Sequence, residues 1–460
     1  VSAPERVSRR RINYGAHNVA LTALGCASLA LYFVGQRLAG GTQTISLFIA
    51  LALLQCALHS VAIVIAWRAR ASRKTVAVVI IFAALFRLAL VFEPPRLSDD
   101  IYRYVWDGRV EAAGINPYRY IPADPALAHL RDAAIYEHIN RRETAQTIYP
   151  PLAQVVFLAA TRVSESVLWM KLVLVAFEAL ALWAIAELLA SFKLPRQRVI
   201  IAAWHPLVVW EIAGSGHVDA LVICSVALAL LARRRGRDTL TGALIACAAL
   251  TKLFPVAIAP ALYRRWSWRL PFALAATFVA LYLPYLSVGV HGALGSLPYY
   301  ADEEGLHTGT RFFLLALARK VTGVEIPTVA FYIFAFIALA ALALWSLSRR
   351  KDDERSFVAR ALVLATAFTI LFSPHFSWYF VWLIPLLALA PPALLVPVLY
   401  LTTANFVLYF TWLGDAPDRM LVINSIIYLP FAALCAATWL ARRVKFGSAK
   451  ASQTARGLVD

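Results

Sequence analysis

The stretch that decides the fold is RRRGRDTLTGALIACAALTKLFPVAIAPALYRRWSWR, residues 233–269. Two apolar runs, 238–251 and 253–263, lie between basic knots: Arg233, Arg234, Arg235 and Arg237 before them, Arg264, Arg265 and Arg269 after. Neither run is long enough to cross a hydrocarbon core alone, which takes about 20 residues of helix. Basic loops favour the cytoplasmic side of a bilayer, so both knots belong on the same side. Two half-length helices satisfy that demand if they turn at Lys252-Leu253-Phe254-Pro255, where Pro255 removes a backbone donor and breaks the helix. The alternative, a single span of about 25 residues, would strand one knot on the far side.

The same punctuation recurs outward from this hairpin. Further apolar runs lie near 18–38, 45–67, 75–93, 166–190, 198–213, 217–232, 270–289, 326–347, 357–373, 378–390, 393–413 and 420–441. The basic clusters between them are Arg9–Arg11, Arg68–Lys74, Lys193–Arg198, Arg233–Arg237, Arg264–Arg269, Arg349–Arg355 and Arg442–Lys445. With the hairpin in place all of these fall on one side, with both termini cytoplasmic. The fold class expected is an all-α polytopic membrane protein of about 12–14 transmembrane or half-membrane helices.

Composition agrees. The chain has 460 residues, 61% hydrophobic and only 15% charged, where soluble domains carry about 25% charged residues. No polar linker divides it, so residues 1–460 are read as a single membrane domain with a cytoplasmic tail at 442–460. The net charge of +18 is spread in knots between apolar runs rather than along one face, which argues against nucleic acid as a partner. Cys26, Cys56, Cys224, Cys247 and Cys435 lack metal or disulfide spacing and read as packing residues. After Arg6 and Arg9–Arg11, the run at 18–38 carries no small-residue cleavage site and is expected to be a first span. The Ala/Arg-rich usage suggests a bacterial inner membrane.

Two long polar segments are then left outside, 94–165 and 290–325, the second carrying Asp302, Glu303, Glu304, His307 and Arg311. Loops of this length are commonly functional. The richest stretch is Arg96-Leu97-Ser98-Asp99-Asp100-Ile101-Tyr102-Arg103-Tyr104-Val105-Trp106-Asp107-Gly108. On a helix, Asp99/Arg103, Asp100/Tyr104 and Arg103/Asp107 are i,i+4 neighbours. Adjacent acids at a membrane boundary can act as a general base or hold a divalent cation. They can equally be a helix start, with Ser98 or Asp99 capping free amides. Gly114-Ile115-Asn116-Pro117-Tyr118 and Tyr149-Pro150-Pro151 read as turns.

Thr251-Lys252 places an ammonium at the hairpin tip, suited to a lipid phosphate, with snorkelling as the competing account. Gly214-Ser215-Gly216-His217-Val218-Asp219 is a turn bearing a histidine and an acid. Ser373-Pro374-His375-Phe376-Ser377-Trp378-Tyr379 lies at an outer boundary, where Trp378, Tyr379 and Trp382 also suit an interfacial aromatic belt. Arg87 and Glu178 lie inside runs, Glu178 expected to pair with Arg87 or Lys171. Phosphate-loop, zinc-helix and nucleophile-elbow motifs do not occur.

This set resembles the GT-C superfamily of integral membrane glycosyltransferases, in its bacterial mannosyltransferase-like branch. The resemblance rests on Asp99-Asp100, Gly114-Ile115-Asn116-Pro117-Tyr118, Tyr149-Pro150-Pro151-Leu152, Gly216-His217-x-Asp219, Thr251-Lys252-x-x-Pro255 and His375-x-x-Trp378-Tyr379, and covers roughly 75–440. One departure is that the acid pair follows the third predicted span, where many relatives carry it after the first. The resemblance implies a helical extracytoplasmic first loop as the catalytic loop. It implies transfer of a hexose, mannose first, from a polyprenyl-phosphate donor to a cell-envelope glycan or lipid acceptor, with inversion. Asp99, or secondarily Asp100, would be the base; Lys252, Arg311 and His375 would bind the donor phosphate; Arg103 would orient the acids. Tyr149, His217, Asp219 and Tyr379 would bind or orient sugar. Some relatives hold a divalent metal at the acid pair and others do not; none is expected here, and no other cofactor. A transporter or flippase of a lipid-linked saccharide, a lipid-linked glycan ligase or polymerase, and a non-catalytic scaffold stay open.

Overall fold

A computed structural model describes residues 14–264, 266–348, 355–414 and 417–456; Arg6, Arg9–Arg11 and most of the Arg349–Arg355 cluster lie outside them. Every regular element among the described residues is helical. Eight helices are long and apolar enough to cross a bilayer. The first three are α1 (Tyr14–Leu38), α2 (Ile45–Arg68) and α3 (Arg73–Val91). Ser72 caps α3 by accepting from the Lys74 amide at 3.2 Å, and the chain leaves α3 at Pro94-Pro95, which cannot continue a helix. Then come α4 (Asp100–Ala112), α5 (Pro151–Thr161) and α6 (Val167–Ser191). The remaining long spans are Arg269–Gly292, Thr328–Ser348, Pro392–Leu413 and Arg419–Arg443.

The other apolar runs are short or broken. The run expected at 198–213 divides into Ile200–Ala203, Pro206–Val208 and a π-helical turn, Val209–Gly214. It breaks because Pro206 follows His205, and the wide π turn then carries Glu211 inward. The Asp219–Arg234 helix follows. Gly216, at φ +75°, makes the connection with a left-handed backbone that side chains rarely adopt.

The hairpin at 233–269 forms as its charges require. Asp238–Ala249 is a helix of 12 residues, about 18 Å long by its rise. The chain turns at Lys252, returns through Phe254–Ile258 and Ala259–Leu262, and brings Arg264 to 3.9 Å from Asp238. Both knots therefore meet at one end. The same end gathers other basic clusters: Gln197 donates to the carbonyl of Ala69 at 3.0 Å, the Arg198 guanidinium lies 4.2 Å from the Trp67 ring, and Arg234 donates to the Ser191 carbonyl at 3.0 Å.

One buried apolar cluster runs from Leu21 to Phe431. Around it, large apolar side chains face outward: Val19, Leu47 and Leu88, and Phe336 at 74% exposure. An outside so apolar suits lipid as solvent. Inside, Arg87 is spent on Glu178 and on the carbonyls of Ala83 and Ala203. Lys171 instead donates to the carbonyl of Glu93 at 2.7 Å.

Candidate active site

At the end opposite the basic clusters, a cavity of about 970 Å³ opens between the first polar loop, the hairpin tip and the segment after Phe372. The acid pair stands at its edge because α4 starts there. Ser98 Oγ accepts from the Asp100 amide at 3.2 Å, while the Asp99 side chain, at the N-cap, makes no cap bond. Capping thus falls to Ser98 and leaves both carboxylates free for the cavity. Asn140, from the far end of the loop, donates to Asp99 Oδ1 at 2.6 Å and Asp100 Oδ1 at 3.1 Å. Asp99 is exposed and Asp100 half-buried. Burial, helped by the Asp99 charge, raises the Asp100 pKa; the Asn140 bond and the Lys252 charge oppose the rise.

The loop is rigidly tied. Arg103 pairs with Asp107 at 2.8 Å and donates to the Ala145 carbonyl at 3.1 Å. Arg109 reaches Asp132 and Glu165, each at 2.8 Å. Asn116 binds the Tyr285 carbonyl and Ser287 Oγ, each at 2.9 Å, and Tyr118 donates to the Tyr149 carbonyl at 2.7 Å. The Gly114–Tyr118 turn is thereby a strut between the two polar loops. After Tyr149-Pro150, the Leu152 amide donates to the Leu250 carbonyl at 3.0 Å, fastening α5 to the hairpin tip. Gly108 sits where α4 crosses α5: a Cβ there would lie 2.5 Å from the Phe157 carbonyl oxygen.

Across the cavity, Lys252 Nζ lies 2.6 Å from Asp219 Oδ2 and 4.4 Å from the centre of the Tyr379 ring. Arg311 pairs with Glu304, and both are buried. Tyr300 and Tyr379 share a hydrogen bond of 3.1 Å. Phe254, Phe368, Phe372 and Trp382 make much of the remaining wall apolar.

Of the residues singled out from the sequence, the structure brings Asp99, Asp100, Tyr149, Lys252, Arg311 and Tyr379 to this cavity. It places four others elsewhere. Arg103 serves Asp107, and Asn140 holds the acids in its stead. His217 is buried behind the wall, 3.1 Å from Glu211 and packed on Trp378; Asp219 is buried beneath Lys252. Neither lines the cavity. His375 contacts the Arg311 carbonyl at 3.3 Å, and burial, with Arg311 close by, pushes its pKa down to about 4. The shift disfavours the charged imidazolium that a phosphate cation requires. Sequence reasoning missed Asn140 and Arg141, which lie in a turn, and Tyr300, on the short Leu297–Glu303 helix; neither periodicity nor motif marks them. Among the described residues no three His, Cys, Asp or Glu side chains gather as a metal-ligand set. Asp99 and Asp100 are the carboxylates that would hold a divalent cation together with a substrate phosphate, and no step is routed through one.

Paired acids, matched cations and an aromatic wall at the polar end of a membrane-embedded bundle define the equipment of an integral membrane group-transfer enzyme. The chain belongs to the family described as Alpha-(1->6)-mannopyranosyltransferase, N-terminal domain, which matches residues 13–268, more than half its length. It is thus a member of a mannosyltransferase family. The match contains the acid pair and both arms of the hairpin. A comparison with curated proteins gave no match.

Proposed function

We propose that this protein transfers mannose from a polyprenyl-phosphate donor to a hydroxyl of an extracytoplasmic glycan or lipid. The observation that carries the reading is the placing of Asp99-Asp100 and Lys252 around one cavity whose remaining wall is largely apolar. An apolar wall suits a lipid chain, a cation its phosphate, and a carboxylate the attacking hydroxyl. The basic end of the bundle would face the cytoplasm, which puts the cavity at the outer surface.

The acids divide their work by position. Asp100, half-buried at the start of α4, would hold sugar hydroxyls. Displacement with inversion brings the acceptor in opposite the leaving group, on the side of exposed Asp99. The acceptor oxygen bonds to the anomeric carbon as its proton passes to Asp99. The bond from that carbon to the phosphate oxygen breaks, and the lipid phosphate leaves with the electron pair toward positive charge. Inversion requires a β-linked donor for an α-linked product.

The test offers membranes containing the protein radiolabelled polyprenyl-phosphate mannose, glucose and arabinose. Label is expected to pass from the mannosyl donor into product, and Asp99→Asn to slow this by roughly 10²–10⁴-fold, the worth of a general base. Consumption of no lipid-phosphate sugar under any condition would overturn the reading.

A further inference from the structure

Four cationic side chains line the cavity among the described residues: Arg96, Arg141, Lys252 and Arg311. Three already have a carboxylate. Lys252 is paired with Asp219, Arg311 with Glu304, and Arg141 with Glu303 at 2.8 Å. To take a phosphate, Lys252 or Arg311 must loosen a partner that is itself buried and cannot turn to water. Arg96 alone among these four has no carboxylate within ion-pair distance among the described residues, and its side chain is exposed at the cavity rim.

The position of Arg96 suits a lipid headgroup. It follows the end of α3 by five residues, just beyond the apolar run, at the depth where a phosphate on a membrane-anchored chain resides. Its backbone is held from the other side by the α1–α2 turn. Gly40, at φ +87°, packs so closely that a Cβ there would lie 2.7 Å from the Arg96 carbonyl oxygen. Arg96 also precedes the acid pair by three residues and lines the same cavity. A guanidinium presents a planar fork that matches two phosphate oxygens, which an ammonium cannot do.

We infer that Arg96 is the primary binding residue for the donor phosphate, with Lys252 held in reserve by Asp219. The inference rests on the proposed lipid-phosphate donor and changes which residue meets it first.

The test measures binding of two probes to the purified protein in lipid nanodiscs: sugar-free polyprenyl phosphate and the corresponding polyprenol. Wild type is expected to prefer the phosphate, and Arg96→Gln to lose about tenfold or more of that preference while binding polyprenol unchanged. Arg96→Lys is expected to fall between them and serves as the test if Arg96→Gln does not fold. A preference of wild-type size in a folded Arg96→Gln, or in Arg96→Lys should only that variant fold, overturns the role of Arg96 and leaves the donor class standing. Absence of any preference in wild type overturns the donor class itself.

Discussion

Asn140 bridges the two acids, and removing its amide is the sharpest perturbation the cavity offers. Asn140→Leu keeps the bulk and deletes donors at 2.6 and 3.1 Å from Asp99 and Asp100. A hydrogen bond to a charged group contributes about 1.5–3 kcal/mol. Asp99 is exposed and Asp100 half-buried, so water restores part of each bond and the lower end applies. A loss of about 1.5–2.5 kcal/mol in the transition state slows transfer roughly 10–70-fold. The pH profile carries a second signature. The Asp100 pKa is already raised by burial, and the Asn140 bond opposes that rise. A raised pKa keeps the acid protonated to higher pH, so activity that needs an ionised pair is lost on acidification sooner than an ordinary aspartate would allow. Deleting the opposing bond moves this acid limb to still higher pH. The assay is kcat/KM for mannosyl transfer from pH 4 to 8 in wild type and variant, read on about the scale of carboxylate and histidine titration. An acid limb that stays in place, or moves to lower pH, refutes the bridging role.

Two further predictions concern the scaffold. Gly108→Ala drives a Cβ against the Phe157 carbonyl oxygen, a backbone atom that cannot swing aside; α4 is expected to shift off α5, costing about 1–3 kcal/mol of stability and most of the activity, as thermal unfolding and transfer assays will show. Glu178→Gln leaves the buried Arg87 guanidinium without its counter-charge and is expected to cost about 3–5 kcal/mol, whereas replacing both partners by leucine recovers much of the loss.

The helical bundle was legible because lipid imposes a coarse rule, apolar length against basic punctuation, and 233–269 obeys it. The hairpin turn at Lys252 could be placed from charge alone, since no other path brings Arg237 and Arg264 to one end. The acid pair and the hairpin lysine were legible for a related reason: charges at the margins of apolar runs are costly unless used. His217 and Asp219 misled because sequence cannot tell a polar residue facing a cavity from one buried behind its wall; the π-helical turn, which turns Glu211 toward His217, has no motif. Arg103 misled because two i,i+4 acids competed for it, Asp99 and Asp107, and it pairs with Asp107 while donating to the Ala145 carbonyl. Asn140 was invisible because its role depends on a loop closing over 40 residues.

The half-length hairpin sets a depth. Its first arm rises about 18 Å through a hydrocarbon layer about 30 Å thick, so the tip that carries Lys252 stops short of the far surface. On the proposed topology the cavity floor would then lie below the headgroups. The proposed lipid-linked donor would reach such a floor by sliding sideways within its own leaflet. The acceptor is the partner that must travel. Asp99, exposed at the cavity's edge, would meet an acceptor hydroxyl arriving from the water side.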